Sequence, residues 1–455
     1  MGRYRIFIFS IKYVIIIFNK RGDLTMLRFF HNPLLVAKLT EYEYLIKGNK
    51  KQSTAEYKIK RIIKDVTGEV FENIEVYNSG LLIPKITKNG FQATAIYIPE
   101  LNELLVIYRG SESEDISDWF YNYTGIVSGE NTSQIDSACK FTKFLKRKIV
   151  NFDSCYKVAA GHSLGGHIAI TVELLKQTYQ RVYTFNTALP QLKQLRKYDK
   201  KFNKKLEDYF LEKDLEETNK LQDFTSNYYA KNAHHIYNFV RKNDFIQSLN
   251  MTVGTFNIGK TIEFPAIIKN FVAPEEYLTE EDTYELDKIF CDFYNRLIEK
   301  NITPDDVVEN QKQVTDEFIG LIVEKIKTPI QQQISNFSYK KGIKTSSEVG
   351  ITDSYRTFKA IYNYLLYLAH SGIISDDVIN CNDSKKATTL YEKVIGDASK
   401  SNLKNLLKPL QEFYTLTKAI YTLTHAKGLD DVGNWSEIAE AHDLPSFYDV
   451  LEKVK

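Results

Sequence analysis

Apolar positions change their period along this chain, and the changes divide it into elements. From Leu27 to about Ile63 the spacing of Leu34, Leu35, Ala37, Leu39, Tyr42, Tyr44 and Leu45 predicts helix. Glu69–Tyr77 and Phe91–Ile98 alternate in the manner of strands, and Leu104–Tyr108 is a short apolar run that closes on Arg109, Gly110 and Ser111. A helix from about Ser133 to Val150 leads into Tyr156–Ile170, which reads as a buried strand, a tight glycine turn and an amphipathic helix. That helix runs to about Thr178, and Arg181–Asn186 is the next strand. Strands alternating with helices of this length predict an α/β fold with a mostly parallel central sheet. In such sheets the site lies at the carboxyl ends of the strands.

Residues from Pro190 to about Tyr229 are polar and highly charged, with Lys193, Arg196, Lys197, Lys200, Lys201, Lys204 and Lys205 crowding the first half. They predict an inserted helical pair with a solvated face; a lid or a contact with anionic lipid is the sharper alternative. His234–Val240 is again a strand, ending at Arg241–Asp244, and Thr252–Phe264 has the alternation and glycines of a hairpin or an edge strand. Beyond Pro265 helical stripes dominate, such as Phe358, Ile361, Tyr362, Leu365, Leu366 and Leu368, then Leu403, Leu406, Leu407, Leu410, Phe413 and Leu416. The expected organisation is an N-terminal extension of uncertain status over 1–25, an α/β domain over 26–268 with a charged insertion at about 190–230, and a helical domain over 269–455.

Composition alters this picture little. The chain has 455 residues, enough for two or three sizeable cores, and a formal charge of +2 that gives no push toward nucleic acid. Tyr (30) and Phe (27) are abundant while Met (3) and Trp (2) are scarce, a bias of AT-rich bacterial genomes, so aromatic count alone marks no ligand box. Cys139, Cys155, Cys291 and Cys381 are scattered without metal-ligand spacing, and neither a metal nor another cofactor is expected. The apolar stretch Ile6–Phe18 is interrupted by Lys12 and falls short of the roughly twenty residues that span a bilayer. No small-residue cleavage site follows it. A peripheral strand or helix, or a start at Met26, accounts for it better than an export signal.

The chemistry centres on Gly161, His162, Ser163, Leu164 and Gly165, a G-x-S-x-G pattern. A nucleophilic serine on a sharp strand-to-helix turn needs a strained backbone and bulk-free flanks, and the first N–H of the helix then faces a developing oxyanion. The plain alternative is an ordinary strand–helix turn. A serine also needs a base, an acid to orient it and a second oxyanion donor. The Leu164 N–H is one expected donor, and Ser111, at a strand terminus after Gly110, is placed to supply the other.

These segments together resemble the class 3 lipases, α/β-hydrolases that cleave acylglycerols or phospholipids. Tyr108–Ser111 followed by Ser117, Asp118 and Trp119 is similar to the family's R-G-[ST] … D-W segment. Gly161–Gly166 is similar to its nucleophile elbow, and Tyr183–Asn186 to its following strand. Val240–Ile246 resembles the strand end that carries D-x-[IV], with Arg241 where members often have asparagine. The resemblance covers roughly residues 70 to 265. It implies Ser163 as nucleophile and Asp244 as acid, Asp214 and Asp223 being read as solvated. Of the eight histidines, His162 and His167 belong to the elbow, His31 precedes the fold, and His234 and His235 precede the acid. His442, within Ala441–Tyr448, is similar to the family's H-x-x-x-S-[YF] and is the expected base; His425, His370 and the His234/His235 pair stay open.

A hydrolase followed by a long helical region is similar to the type VII-secreted lipase toxins, whose LXG-like targeting region here would lie after the enzyme. That likeness implies export without a classical signal peptide, a lipid or phospholipid substrate met at a membrane surface, small helical partner proteins on the C-terminal region, and an immunity protein. The alternatives are a housekeeping cytoplasmic esterase, and a non-catalytic binding protein on a hydrolase fold.

Overall fold

The computed structural model describes residues 10–11, 14–18, 24–46, 52–112, 115–210, 218–242, 244–250, 252, 254–267, 276–318, 320–322, 324–325, 348–371 and 442–453. A three-stranded antiparallel sheet, β1 (Ser10–Ile11), β2 (Val14–Phe18) and β3 (Leu24–Leu27), comes first. Two helices follow, α1 (Pro33–Ile46) and α2 (Gln52–Thr67), and further along the chain come two single-turn helices, α3 (Ser79–Leu82) and α10 (Gln247–Asn250).

A seven-stranded sheet forms the core. Its strands are β4 (Glu75–Asn78), β5 (Ala93–Ile98), β6 (Glu103–Tyr108), β7 (Tyr156–His162), β8 (Arg181–Phe185), β9 (Ile236–Arg241) and β10 (Lys260–Phe264), and they lie side by side in chain order. The pairs β4–β5 and β5–β6 are antiparallel; every pair from β6 to β10 is parallel. Register aligns Tyr108 with Gly161 and His162 with Phe185, so the carboxyl ends of the central strands lie along one edge.

All six residues of β5 and of β6 are buried because both faces of the sheet are covered. Leu104, Val106 and Tyr108 point into one apolar layer with Phe141 and Leu145 of α5 (Ser133–Lys148) and with Ile168 of α6 (Leu164–Lys176). Leu105 and Ile107 point into the other, shared with Leu35 and Leu39 of α1 and with Leu444, Phe447 and Leu451 near the end of the chain. Those last three residues therefore belong to the core of the α/β unit.

Two details differ from the sequence pattern. The strand expected over Glu69–Tyr77 is confined to Glu75–Asn78, while Phe71 and Ile74 are buried outside the ladder. The charged insertion is more than a helical pair: α7 (Leu192–Tyr198), α8 (Lys200–Tyr209) and α9 (Thr218–Tyr229) are separate helices. Asp199 ends α7 and starts α8, its carboxylate accepting from the N–H groups of Lys201 and Phe202. Of the two forms expected over Thr252–Phe264, the edge strand is the one formed, as β10.

Between β6 and α5 the chain forms α4 (Ile116–Tyr121) and then a π-helical turn, Asn122–Val127. This segment packs on the helix α11 (Glu280–Glu299), with Tyr123 stacked on Phe290 at 4.7 Å. A further helix, Glu348–His370, lies against α11 through hydrogen bonds from Thr357 to Glu285 and from Asn363 to Asp282. The stripe over Leu403–Leu416 and the rest of 372–441 lie outside the described residues, as does His425.

Candidate active site

The strand β7 ends at His162 and α6 begins at Leu164, so Ser163 alone turns the chain. Its φ of 54° and ψ of −125° are a strained combination for a residue with a side chain. The turn closes only because its flanks lack bulk. A Cβ on Gly161 would meet the carbonyl carbon and oxygen of Gly165 at 2.2 Å, and one on Gly165 would meet the Tyr108 carbonyl oxygen at 2.1 Å. The hydroxyl of Ser163 thus sits at the N-terminus of a thirteen-residue helix whose first N–H groups lack intrahelical partners.

Before it in sequence, the end of β6 delivers the turn Arg109–Gly110–Ser111 to the same edge. Here a Cβ on Gly110 would lie 3.2 Å from the Cβ of Ser163. The Ser111 hydroxyl exchanges hydrogen bonds with the Asn122 side chain, at 3.0 Å from the amide nitrogen. Its N–H makes no hydrogen bond among the described residues. Asp118 braces the turn by accepting from Glu112 N–H at 3.1 Å and from Gln134 at 3.2 Å. Burial, with Asp115 nearby, pushes its carboxyl up to about 7 against the opposing charge of Arg109.

The end of β9 brings in Asp244, whose Oδ1 accepts from Ile246 N–H at 3.0 Å. Opposite it is His442, 198 residues away in sequence, with Nδ1 2.8 Å from Oδ1 and 2.9 Å from Oδ2. Both side chains are buried. A carboxylate can only accept, so Nδ1 carries hydrogen, and in the neutral form of the ring Nε2 is the nitrogen that presents a lone pair. That Nε2 is buried and has no hydrogen-bond partner among the described residues. The His442 ring lies between His162, at 4.4 Å between centroids, and Phe245, at 4.5 Å. Ser163 and His442 share no hydrogen bond among the described residues.

The segment that carries His442 is tethered from several sides. Its carbonyl accepts from His162 Nε2 at 3.0 Å and from Asn186 Nδ2 at 2.9 Å. Arg241 donates to the Ser446 carbonyl and, at 3.1 Å, to that of Pro265. Its guanidinium also lies over the rings of Phe447 and Phe264. Phe447 packs edge-on against Phe185, and the Tyr448 hydroxyl donates to Glu41 of α1.

The other histidines are engaged elsewhere. His31 bonds the Tyr156 hydroxyl at 2.6 Å, His235 pairs with Glu173 at 2.9 Å, His234 contacts the Lys231 carbonyl and His370 a carbonyl of its own helix. Asp223 is exposed on α9, and Asp214 lies outside the described residues. Among the described residues no group of three or more His, Cys, Asp and Glu could hold a metal ion, and no helix is long and apolar enough to cross a membrane. The roles of Tyr44, Asn186 and Arg241 were not read from the sequence. Only Arg241 carried a signal, as a departure from the asparagine usual at its position.

The family model described as "Domain of unknown function (DUF6792)" matches residues 34–264. The chain belongs to that family. The matched span holds Ser163 and Asp244 and stops well before His442. A curated relative, the uncharacterized protein YvcB of Bacillus subtilis (strain 168), is 32% identical over 185 residues, which are 36% of this chain and 28% of that protein's length. Among solved structures, the Lip2 lipase from Yarrowia lipolytica is similar over 53% of this chain and 80% of its own, with 10% identity and a TM-score of 0.33.

Proposed function

We propose that this DUF6792 chain is a serine hydrolase of carboxylic esters. The observation that carries the reading is the buried Asp244–His442 pair, oriented through Nδ1 and leaving Nε2 without a partner among the described residues, beside a serine held at positive φ on a helix N-terminus. In the proposed reaction His442 Nε2 takes the Ser163 proton and Oγ attacks the ester carbonyl. The N–H groups of Ser111 and Leu164 hold the oxyanion. The imidazolium then protonates the leaving alcohol, and water, deprotonated by the same ring, cleaves the acyl-enzyme.

Lipid esters, acylglycerols or phospholipids, are the proposed substrate class, supported by the likeness of Tyr108–Trp119, Gly161–Gly166 and Val240–Ile246 to class 3 lipase motifs. Fatty-acid release from phospholipid and triacylglycerol emulsions tests this. Wild type should release acid, and Ser163→Ala should lose on the order of a millionfold in turnover. Equal rates for the two would end the proposal. Export, small helical partner proteins on 269–455 and an immunity protein form a separate proposal, supported by domain order; co-purification of such proteins with the full chain tests it.

A further inference from the structure

The N-terminal helix α1 reaches the site as well as the core. Its Tyr44 hydroxyl lies 2.8 Å from His162 Nδ1 and accepts the Gly110 N–H at 3.1 Å. The fit is close, since a Cβ on Gly110 would fall 2.2 Å from that oxygen. His162 Nε2 faces the His442 carbonyl at 3.0 Å.

Acceptor chemistry fixes every proton in this chain of bonds. A carbonyl cannot donate, so His162 Nε2 carries hydrogen. His162 is buried with no acidic partner among the described residues, which favours the neutral ring and makes Nδ1 the acceptor. The Tyr44 O–H must then donate to Nδ1, which leaves its lone pairs for the Gly110 N–H. The bonds run in one direction: Gly110 N–H to Tyr44 O–H to His162 ring to His442 carbonyl.

We propose that Tyr44 and His162 are positioning residues that set the oxyanion turn and the histidine-bearing segment in register with each other. The inference rests on the hydrolase reading of Ser163, Asp244 and His442. The two structures joined are otherwise remote: the turn follows β6, and His442 is more than 330 residues further on. Neither Tyr44 nor His162 takes part in proton transfer with substrate. The His162 nitrogens are both committed, so the ring that resembles a second base in the elbow is occupied as a spacer. A second arm supports the same carbonyl, because Asn186 donates to it while accepting the Arg241 N–H at 2.8 Å.

The test compares Tyr44→Phe with Tyr179→Phe in the full chain. Tyr179 also loses a buried hydroxyl, from its 2.6 Å bond to Tyr108, but on the opposite face of the sheet. The readouts are kcat and KM for p-nitrophenyl butyrate and the rate of fluorophosphonate labelling. Tyr44→Phe should lower kcat and labelling by about tenfold to a hundredfold with KM within about threefold, while Tyr179→Phe keeps the wild-type kcat. His162→Gln, whose amide still donates to the carbonyl, should retain at least tenfold more activity than His162→Leu. This second pair decides the matter if Tyr44→Phe does not fold. Labelled wild type with an unchanged Tyr44→Phe, or with equal His162 variants, overturns the positioning role alone. A wild type that neither labels nor turns over ester overturns the hydrolase reading and the positioning role with it.

Discussion

The two halves of the candidate site are built by opposite means. The elbow around Ser163 is local: strand, strained residue, helix start and two fitted glycines lie within ten residues, between Tyr156 and Gly165. The half around His442 is assembled from a distance. Asp244, His162, Asn186, Arg241 and Glu41 each hold the segment 442–448 across 198 to 407 positions of sequence. A local device keeps its geometry as long as the sheet exists. A tethered one is lost whenever its tethers are, and the chemistry should be most fragile there.

Cutting the orientation of the base should have the largest effect in this comparison. Asp244→Asn keeps the shape but presents an amide to Nδ1, favouring the wrong tautomer, and should lower kcat by about ten-thousandfold with little change in KM. Loosening the tail without touching the reacting groups comes next. Arg241→Leu removes the donor to the Ser446 and Pro265 carbonyls and the cation over Phe447, so it should cost about 1.5–3 kcal/mol and a tenfold to hundredfold drop in kcat. Denaturant unfolding and initial rates measure the two effects; a variant with wild-type values for both would remove the distinction between local and tethered halves.

The smallest expected effect on turnover concerns α1, which sharpens the comparison through the pH dependence of stability instead. Glu43 is buried beside the Arg109–Ser111 turn, and burial pushes its carboxyl from an ordinary 4.5 up to about 8, against Thr94 and Arg109. Below 4.5 both folded and unfolded chains hold this proton. Between 4.5 and about 8 the unfolded chain releases it while the folded chain keeps it, so stability falls as pH rises through that window and levels off above it. Glu43→Gln should flatten this slope, read as unfolding midpoints from pH 5 to 8.5, and leave the midpoint at pH 5 little changed.

The same contrast explains what could be read from the sequence. The α/β class followed from alternating periods, and the strands β5 to β9 fall close to where the pattern put them because both faces of each are apolar. The elbow was legible for the reason that makes it local. His442 was reached only through a short motif likeness, since nothing in periodicity ties it to Asp244. Tyr44 looked like one more apolar position on α1, and only its hydroxyl's bonds to Gly110 and His162 set it apart. Phe71 and Ile74 misled in the other direction, alternating like a strand while packing in the α1–α2 layer outside the ladder.

The central claim is that Ser163 is made nucleophilic by an imidazole delivered from the chain's last dozen or so residues. Its most direct test is the mass of tryptic peptides after treatment with a fluorophosphonate. The account predicts a single adduct on Ser163 in wild type, absent from Ser163→Ala and from a folded His442→Ala. An adduct on a different residue, or undiminished labelling of Ser163 without His442, would contradict it.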